Sequence, residues 1–207
     1  MVDICAQVAS LPIKSHETEI VSTVRNNPIT VLVGETGSGK STQLTKMLAK
    51  EYPGMVVCTQ PRKVAAQGLA DRVSKECQAE GIPFGVGLWV REFKSPLNGV
   101  NILYMTQGVL VAKIIGDQRT RLDREHQVAE SHDPETTRTL VNDVASTHLS
   151  SYQAGDDTMA LSFVGTGGMG WLSQTSVVII DEAHERDLDT DVLLGWAKAV
   201  TRVRPDL

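Results

Sequence analysis

A short glycine-rich run in the first quarter of the chain limits the choice of fold more than anything else in the sequence. Residues Gly34 to Ser41 read Gly-Glu-Thr-Gly-Ser-Gly-Lys-Ser. They follow an apolar stretch, Ile29 to Val33, that is typical of a buried strand, and they precede a helical pattern. A loop of this spacing between a strand and a helix is a phosphate-binding loop. The sequence therefore predicts an α/β fold with a phosphate site at one end of its sheet.

The residue types of this loop suit a triphosphate with its metal ion. Glycines let backbone N–H groups turn inward around phosphates, and the start of the next helix adds positive potential. Lys40 can reach the outer phosphates, and Ser41 can hold Mg²⁺. The predicted nucleotide-binding residues of the loop are Gly34, Glu35, Thr36, Gly37, Ser38, Gly39, Lys40, Ser41 and Thr42.

A second feature is a pair of acids directly after an apolar run. Residues Val177 to Ile180 have the pattern of a buried strand, and Asp181 and Glu182 follow at once. Ligands bind at the carboxyl ends of strands in such sheets, so Asp181 can bind Mg²⁺ there and Glu182 can orient or deprotonate an attacking water. The plainer interpretation is that the two acids begin the next helix, where the helix dipole favours them.

The order of patterns along the chain indicates a mostly parallel sheet flanked by helices. Short β-rich runs alternate with longer helical patterns from Pro28 onward, as in sheets whose strands are joined by helical crossovers. We expect a helical lead-in over residues 1–27 and the α/β domain over residues 28–207. The predicted strands are Ile29 to Val33, Met55 to Thr59, Gly87 to Val90, Val100 to Met105 and Val177 to Ile180.

Two helices are predicted from their apolar spacing. The first lies between the second and third strands and has an apolar residue at every fourth position, at Ala65, Leu69, Val73 and Cys77; such a stripe faces a sheet. The second begins near residues 189–191, where acids suit a helix start. Its shared apolar face is formed by Leu193, Ala197 and Val200, and Pro205 ends it.

Residues 118–171 do not fit this alternation. They are polar, hold no sustained period and close on four glycines between positions 165 and 170, so they resemble an irregular insertion rather than core. Two interpretations remain open. The insertion is either a real surface loop or an untranslated stretch read as protein, and the sequence of the transcript would decide between them.

Composition narrows the functional classes. The formal net charge is −5 and the pI about 5.5, so the chain lacks the overall basic charge of an autonomous nucleic-acid binder. Neither a membrane span nor a secretory signal is predicted, which favours an intracellular protein, nuclear or cytoplasmic. Three cysteines without metal-ligand spacing suit a reducing compartment. We interpret them as packing residues, namely Cys5, Cys58 and Cys77.

Several segments together resemble the DEAH-box RNA helicases, a family of ATP-dependent motors. Asp181 to His184 read Asp-Glu-Ala-His and are followed by Glu-Arg, while residues 34–43 match the family's phosphate loop up to the glutamine that follows it. Residues 59–66, Thr-Gln-Pro-Arg-Lys-Val-Ala-Ala, are similar to a third family motif, with Lys63 in place of an arginine. The resemblance implies a RecA-like P-loop NTPase domain that binds ATP with Mg²⁺, with the polar insertion placed before the strand of the Asp-Glu-Ala-His motif.

The resemblance also implies roles for individual residues. Arg72 matches the arginine that stacks on adenine. Lys40, Asp181, Glu182 and His184 take catalytic roles, with His184 linking the nucleotide state to a second domain; Ser41 and Asp181 take the metal. RNA contacts fall on the third motif, residues 59–66, and on a Thr-Gln-Gly segment, at Arg62, Lys63, Thr106 and Gly108. Gln107 departs from the family pattern, which has an acid there, and an amide keeps hydrogen bonding but loses the charge.

We therefore expect the nucleotide-binding half of an RNA helicase that binds ATP and Mg²⁺ and contacts RNA weakly by itself. The second RecA-like domain of the family would be missing, so hydrolysis by this chain alone should be slow. By resemblance only, its partners would be G-patch-type proteins or splicing or ribosome-assembly factors. The alternatives are a nucleotide-dependent binding module, a non-functional gene fragment, and a small-molecule P-loop kinase, which leaves the Asp-Glu-Ala-His motif unexplained.

Overall fold

A computed structural model describes residues 4–116 and 174–202 of the chain. The predicted insertion at 118–171 and the predicted helix terminator Pro205 lie outside these residues. The helices are α1 (Ile4–Ala9), α2 (Glu17–Asn26), α3 (Lys40–Glu51), α4 (Lys63–Glu80), α5 (residues 107–116) and α6 (Leu188–Val200), with short 3-10 turns at Pro12–His16 and Ala183–Glu185. Among the helices of these two ranges, none has the length and apolar content needed to cross a membrane.

Five strands form one sheet in the order β3-β2-β4-β1-β5. Their bounds are β1 Met55–Gln60, β2 Gly85–Val90, β3 Phe93–Lys94, β4 Val100–Thr106 and β5 Thr175–Ile180. Neighbours pair in parallel except for the short β3, which runs antiparallel to β2. This confirms the predicted α/β class and four of the five predicted strands, each within two residues of its predicted ends.

The predicted strand at Ile29 to Val33 is wrong for this structure. These residues are not in the sheet, and Val31 and Val33 are 83% and 88% exposed. Apolar, β-branched composition favours a strand, but a strand exists only when its backbone groups pair with a neighbour. Within the described residues, the sheet ends at β5 and no strand pairs with this segment.

Helices cover both faces of the sheet because successive side chains of each strand point to opposite sides. On β1, Met55 and Val57 face one core with residues of α5 and α6, whereas Val56 and Cys58 face the other core with residues of α3 and α4. Parallel strands buried on both faces are nearly continuously apolar. This explains why β1 and β4 could be recognised from composition.

The stripe predicted on α4 is correct at its C-terminal end and wrong at its start. The buried apolar residues are Ala66, Ala70, Val73 and Cys77, not Ala65 and Leu69, which are half-buried. A strict spacing of four residues rotates by about 40° per step around a helix of 3.6 residues per turn, so a mixed spacing of four and three keeps one face on the sheet.

The last described helix was predicted in the right place. Its N-cap is Asp187, whose side chain accepts a hydrogen bond from the Thr190 backbone at 2.7 Å, and its buried face includes Leu193 and Val200, with Ala197 partly buried against the same core. The helix ends at Val200. Among the cysteines, Cys58 and Cys77 are buried as expected, whereas Cys5 on α1 is exposed, so the prediction that it packs is wrong.

Candidate functional site

The glycine-rich loop leads directly into α3, as its sequence predicted. Gly37 and Gly39 have φ values of 82° and 96°, a left-handed conformation that is open to glycine and strained for other residues. Gly39 is the N-cap of α3, and its carbonyl accepts the Gln43 backbone N–H at 2.8 Å. A Cβ on Gly39 would lie 3.0 Å from Ile13. The loop is therefore shaped by both backbone conformation and close packing against the N-terminal segment.

The Lys40 ammonium folds back over this loop. It donates to the backbone carbonyl of Gly34 and, at 2.7 Å, to that of Glu35. Both carbonyls belong to the loop, so the ammonium lies against the loop backbone. A bound phosphate would replace these two neutral acceptors by charged oxygens, which form stronger hydrogen bonds.

A buried tyrosine supports the first turn of α3, and sequence reasoning missed it. The Tyr104 hydroxyl on β4 donates to the Ser41 carbonyl at 2.7 Å and lies 2.9 Å from the Thr45 hydroxyl. Burial raises the pKa of Tyr104 well above its ordinary value, and the charge of Asp181 adds to the rise. The tyrosine therefore remains a donor. It also joins the sheet to the start of α3, since it bonds Ser41 from β4.

Asp181 stands at the carboxyl end of β5, and the neighbouring strand β1 helps to hold it. Its Oδ2 accepts from the Gln60 side chain of β1 at 2.7 Å, and its backbone N–H donates to Thr59 at 3.3 Å. Its Oδ1 accepts the Glu182 backbone N–H at 3.0 Å. Gln60 was not predicted as a site residue. The only local signal for it was a polar side chain at the end of an otherwise apolar strand.

Glu182 and His184 form an exposed pair beyond Asp181. Glu182 has φ 53°, a left-handed conformation that costs a residue other than glycine about 1–3 kcal/mol and is concentrated at functional sites. Its Oε2 lies 3.3 Å from Nδ1 of His184. Both side chains therefore face solvent beside the acid that was predicted to hold the metal.

Gln107 links the end of β4 to this acid. It is buried, donates from Nε2 to the Asp181 carbonyl at 3.2 Å, and accepts the Thr190 hydroxyl on Oε1 at 3.0 Å. An ionised acid could accept from Thr190 but could not donate to a carbonyl. The departure from the family pattern is therefore matched to its surroundings in this chain.

The four candidate RNA residues lie near the ends of two adjacent strands. Gln60 of β1 pairs with Thr106 of β4, Arg62 and Lys63 follow β1, and Gly108 follows β4.

Three of the four candidate RNA residues lie close to acidic side chains. Arg62 is exposed and lies 3.7 Å from Glu185, which belongs to the turn after Asp181. Lys63 is paired with Glu92 at 2.9 Å. A Cβ on Gly108 would meet the Asp189 carboxylate at 2.9 Å.

Arg72 lies on α4, about three turns after Arg62. Its side chain is 56% exposed and donates from Nε to Glu76 at 2.9 Å. Sequence reasoning singled out the arginine but not its partner. The partner could have been noticed from its spacing, because residues four apart on a helix are neighbours.

The donor chemistry fits Mg²⁺ bound together with a nucleotide. Mg²⁺ usually takes one or two protein oxygens and keeps waters and substrate phosphates as its other ligands, and this is what the Ser41 hydroxyl and the Asp181 carboxylate would provide. Within the ranges that the structure describes, no group of three or more histidine, cysteine or acidic side chains could form a metal site of its own.

A mostly parallel α/β sheet flanked by helices, with a glycine-rich loop at the start of one helix and an acid at the end of a strand, is consistent with a RecA-like domain of a helicase. Over 99% of its length the chain is similar to the Saccharomyces cerevisiae protein named probable ATP-dependent RNA helicase DHR2, with 32% identity over 213 residues. The chain spans 22% of that protein. No family model matches the chain.

Proposed function

We propose that this chain is the nucleotide-binding RecA-like domain of a DEAH-box ATP-dependent RNA helicase. In this proposal it binds ATP with Mg²⁺, contacts RNA at the ends of β1 and β4, and hydrolyses ATP slowly by itself. The observation that carries the proposal is the position of Asp181, because it is bonded to residues at the ends of both strands that carry the candidate RNA contacts. Similarity to an RNA helicase over nearly the whole chain supports it.

The nucleotide part of the proposal assigns one task to each group. The loop backbone and Lys40 bind the phosphates, and Ser41 and Asp181 hold Mg²⁺, which neutralises charge on the outer phosphates when bound. Glu182 orients or deprotonates a water, which attacks the terminal phosphorus. The bond from that phosphorus to the bridging oxygen breaks, and the products are ADP and inorganic phosphate.

The RNA part rests on charge and position. Arg62 and Lys63 would meet phosphates, Thr106 and Gly108 would approach the RNA backbone, and such contacts hold a strand without reading its sequence. His184, exposed beside Glu182, would link the nucleotide state to a second domain. Arginines of such a domain accelerate hydrolysis by a factor of roughly a thousand or more. We therefore propose unwinding as a property of a larger helicase rather than of these residues alone.

Binding of a fluorescent ATP analogue with Mg²⁺ tests the nucleotide part. We expect saturable binding that is lost on chelation of Mg²⁺ and in Lys40→Ala. The matched control is Lys50→Ala, an exposed lysine at the other end of the same helix, which should bind as the unchanged chain does. A folded chain that gave no saturable signal would end the proposal.

Phosphate release with and without single-stranded RNA tests the coupling. We expect slow turnover that RNA increases, and a smaller increase in Arg62→Ala with unchanged nucleotide binding. Tight nucleotide binding without any turnover, with or without RNA, would instead support a nucleotide-dependent binding module.

A further inference from the structure

A buried charged cluster connects α3 to α4 beside the phosphate loop. Glu76 of α4 is 2% exposed and Lys46 of α3 is equally buried, and their charged atoms lie 3.0 Å apart. Glu76 also accepts from the Gln43 side chain at 2.8 Å and from Arg72 at 2.9 Å. One carboxylate therefore binds three donors from two helices.

The hydrogen bonds keep this carboxylate ionised. Burial by itself raises the pKa of Glu76, but the bonds from Arg72, Lys46 and Gln43 outweigh burial and hold the pKa below its ordinary value. A buried charge is tolerated when its lone pairs are satisfied in this way. Because the three donors come from fixed positions on α3 and α4, the carboxylate fixes the two helices relative to each other.

Two residues of this cluster, Glu76 and Gln43, connect Arg72 to the phosphate loop by hydrogen bonds. Gln43 lies one turn after Lys40, and its backbone bonds the loop residue Gly39. The same Gln43 bonds Glu76, and Glu76 bonds Arg72. The guanidinium is held at Nε while the side chain stays more than half exposed, so the side chain is held by Glu76 and still accessible to a ligand.

Lys46 has a second carboxylate partner, Glu80, in addition to Glu76. Lys46 also pairs with Glu80 at 2.6 Å, so Lys46 keeps a partner when Glu76 is changed. Arg72, in contrast, has a single ion-pair partner within the described residues, and that partner is Glu76. The side chain that depends on Glu76 for its orientation is therefore the arginine.

We propose that Glu76 is a positioning residue for the nucleotide base. It holds Arg72 at a fixed place beside the phosphate loop, so that the guanidinium face meets the base of a nucleotide whose phosphates the loop binds. This inference rests on the proposed function, because it needs a nucleotide at the loop and Arg72 beside its base. It adds that the affinity for the base, but not for the phosphates, depends on a buried residue that touches neither.

The test compares ATP with inorganic tripolyphosphate, which carries the phosphates and no base, as Mg²⁺ complexes in titration calorimetry. We expect Glu76→Gln to weaken ATP binding roughly two- to fivefold, the range for loss of a cation–π contact at an exposed site, and to leave tripolyphosphate unchanged. Arg72→Ala should give the same loss, and the double variant no further loss, because the two residues act as one unit.

Glu80→Gln is the matched control, because it removes the other carboxylate on Lys46 but does not touch Arg72. It should leave the ratio of ATP to tripolyphosphate affinity unchanged. If Glu76→Gln does not fold, as judged by circular dichroism, Glu76→Asp serves instead, since it keeps a charge near Lys46 but is one methylene too short for Arg72.

Each outcome separates the inference from the function on which it rests. Equal weakening of both ligands in Glu76→Gln would reduce Glu76 to a support of α3 and overturn the inference, leaving nucleotide binding intact. A loss in Arg72→Ala alone would also overturn it. Absence of binding of both ligands to the folded, unchanged chain would refute the proposed function itself.

Discussion

Replacing Gln107 by glutamate should destabilise the chain in a way that depends on pH. The amide donates to the Asp181 carbonyl at 3.2 Å and accepts from Thr190, and an ionised carboxylate could keep only the second bond. Leaving this part-buried carbonyl facing an acceptor costs about 1–3 kcal/mol. At about 1.36 kcal/mol per pKa unit, this raises the pKa of the introduced carboxyl by about one to two units in the folded state.

The sign of the pH dependence follows from this raised pKa. The protonated carboxyl can donate to the carbonyl as the amide does, so the variant should equal the unchanged chain below the ordinary glutamate pKa of about 4.3. Its deficit in free energy of unfolding should grow as the pH rises through the folded-state value and be complete above it. Denaturant unfolding of both proteins at about pH 4, just below that ordinary value, and at about pH 8 measures the difference.

Gln107→Leu is the control for this experiment. It removes both hydrogen bonds but adds no titrating group, so its deficit should be the same at the two pH values. A Gln107→Glu deficit that did not change with pH, or a variant as stable as the unchanged chain at pH 8, would refute the view that Gln107 must donate to Asp181.

Three further predictions concern the groups around the loop. Tyr104→Phe should lower the free energy of unfolding by about 1–3 kcal/mol, since the buried Ser41 carbonyl loses its donor, and denaturant unfolding measures this; an unchanged midpoint would contradict the bond. Because the pKa of Glu76 is lowered in the folded chain, its contribution to stability is present above the ordinary carboxyl value and should disappear as the pH falls through the folded value; Glu76→Gln should lack this part of the acid-side loss. Gly39→Ala should weaken binding of the ATP analogue and lower the melting temperature, because φ is 96° at this position; a variant with the affinity and melting temperature of the unchanged chain would show that the loop tolerates a Cβ.

The sequence predicted those parts of the fold that leave a local signal in the chain. The glycine-rich loop is a local backbone shape set by glycines. The strands β1 and β4 have a recognisable apolar composition because both of their faces are covered. The wrong strand at residues 29–33 has the same composition as a correct one. What it lacks within the described residues is a pairing partner, and pairing is decided by distant residues.

The supporting residues of the candidate site were missed for the same reason. Gln60, Tyr104 and Glu76 each become informative only when another strand or helix brings a partner to them: Asp181, Ser41 and Gln43, respectively. Their types were visible in the sequence, since a polar residue on a buried face needs a hydrogen-bond partner. The identity of that partner was not visible, because each of these partners lies far away along the chain.

Asp181 is bonded to the last residue of β1 and to the first residue after β4. These two bonds would couple Asp181 to the candidate RNA contacts at the ends of both strands. Gln60 ends β1 and holds its carboxylate, and Gln107 follows Thr106 at the end of β4 and holds its carbonyl. A shift of either strand end by a fraction of an ångström would lengthen one of these bonds unless Asp181 moved with it, and hydrogen bonds of this kind are short-ranged. RNA bound at Arg62 or Thr106 would therefore act on Asp181, the proposed metal-binding acid, through one intervening side chain, without a rearrangement of the sheet.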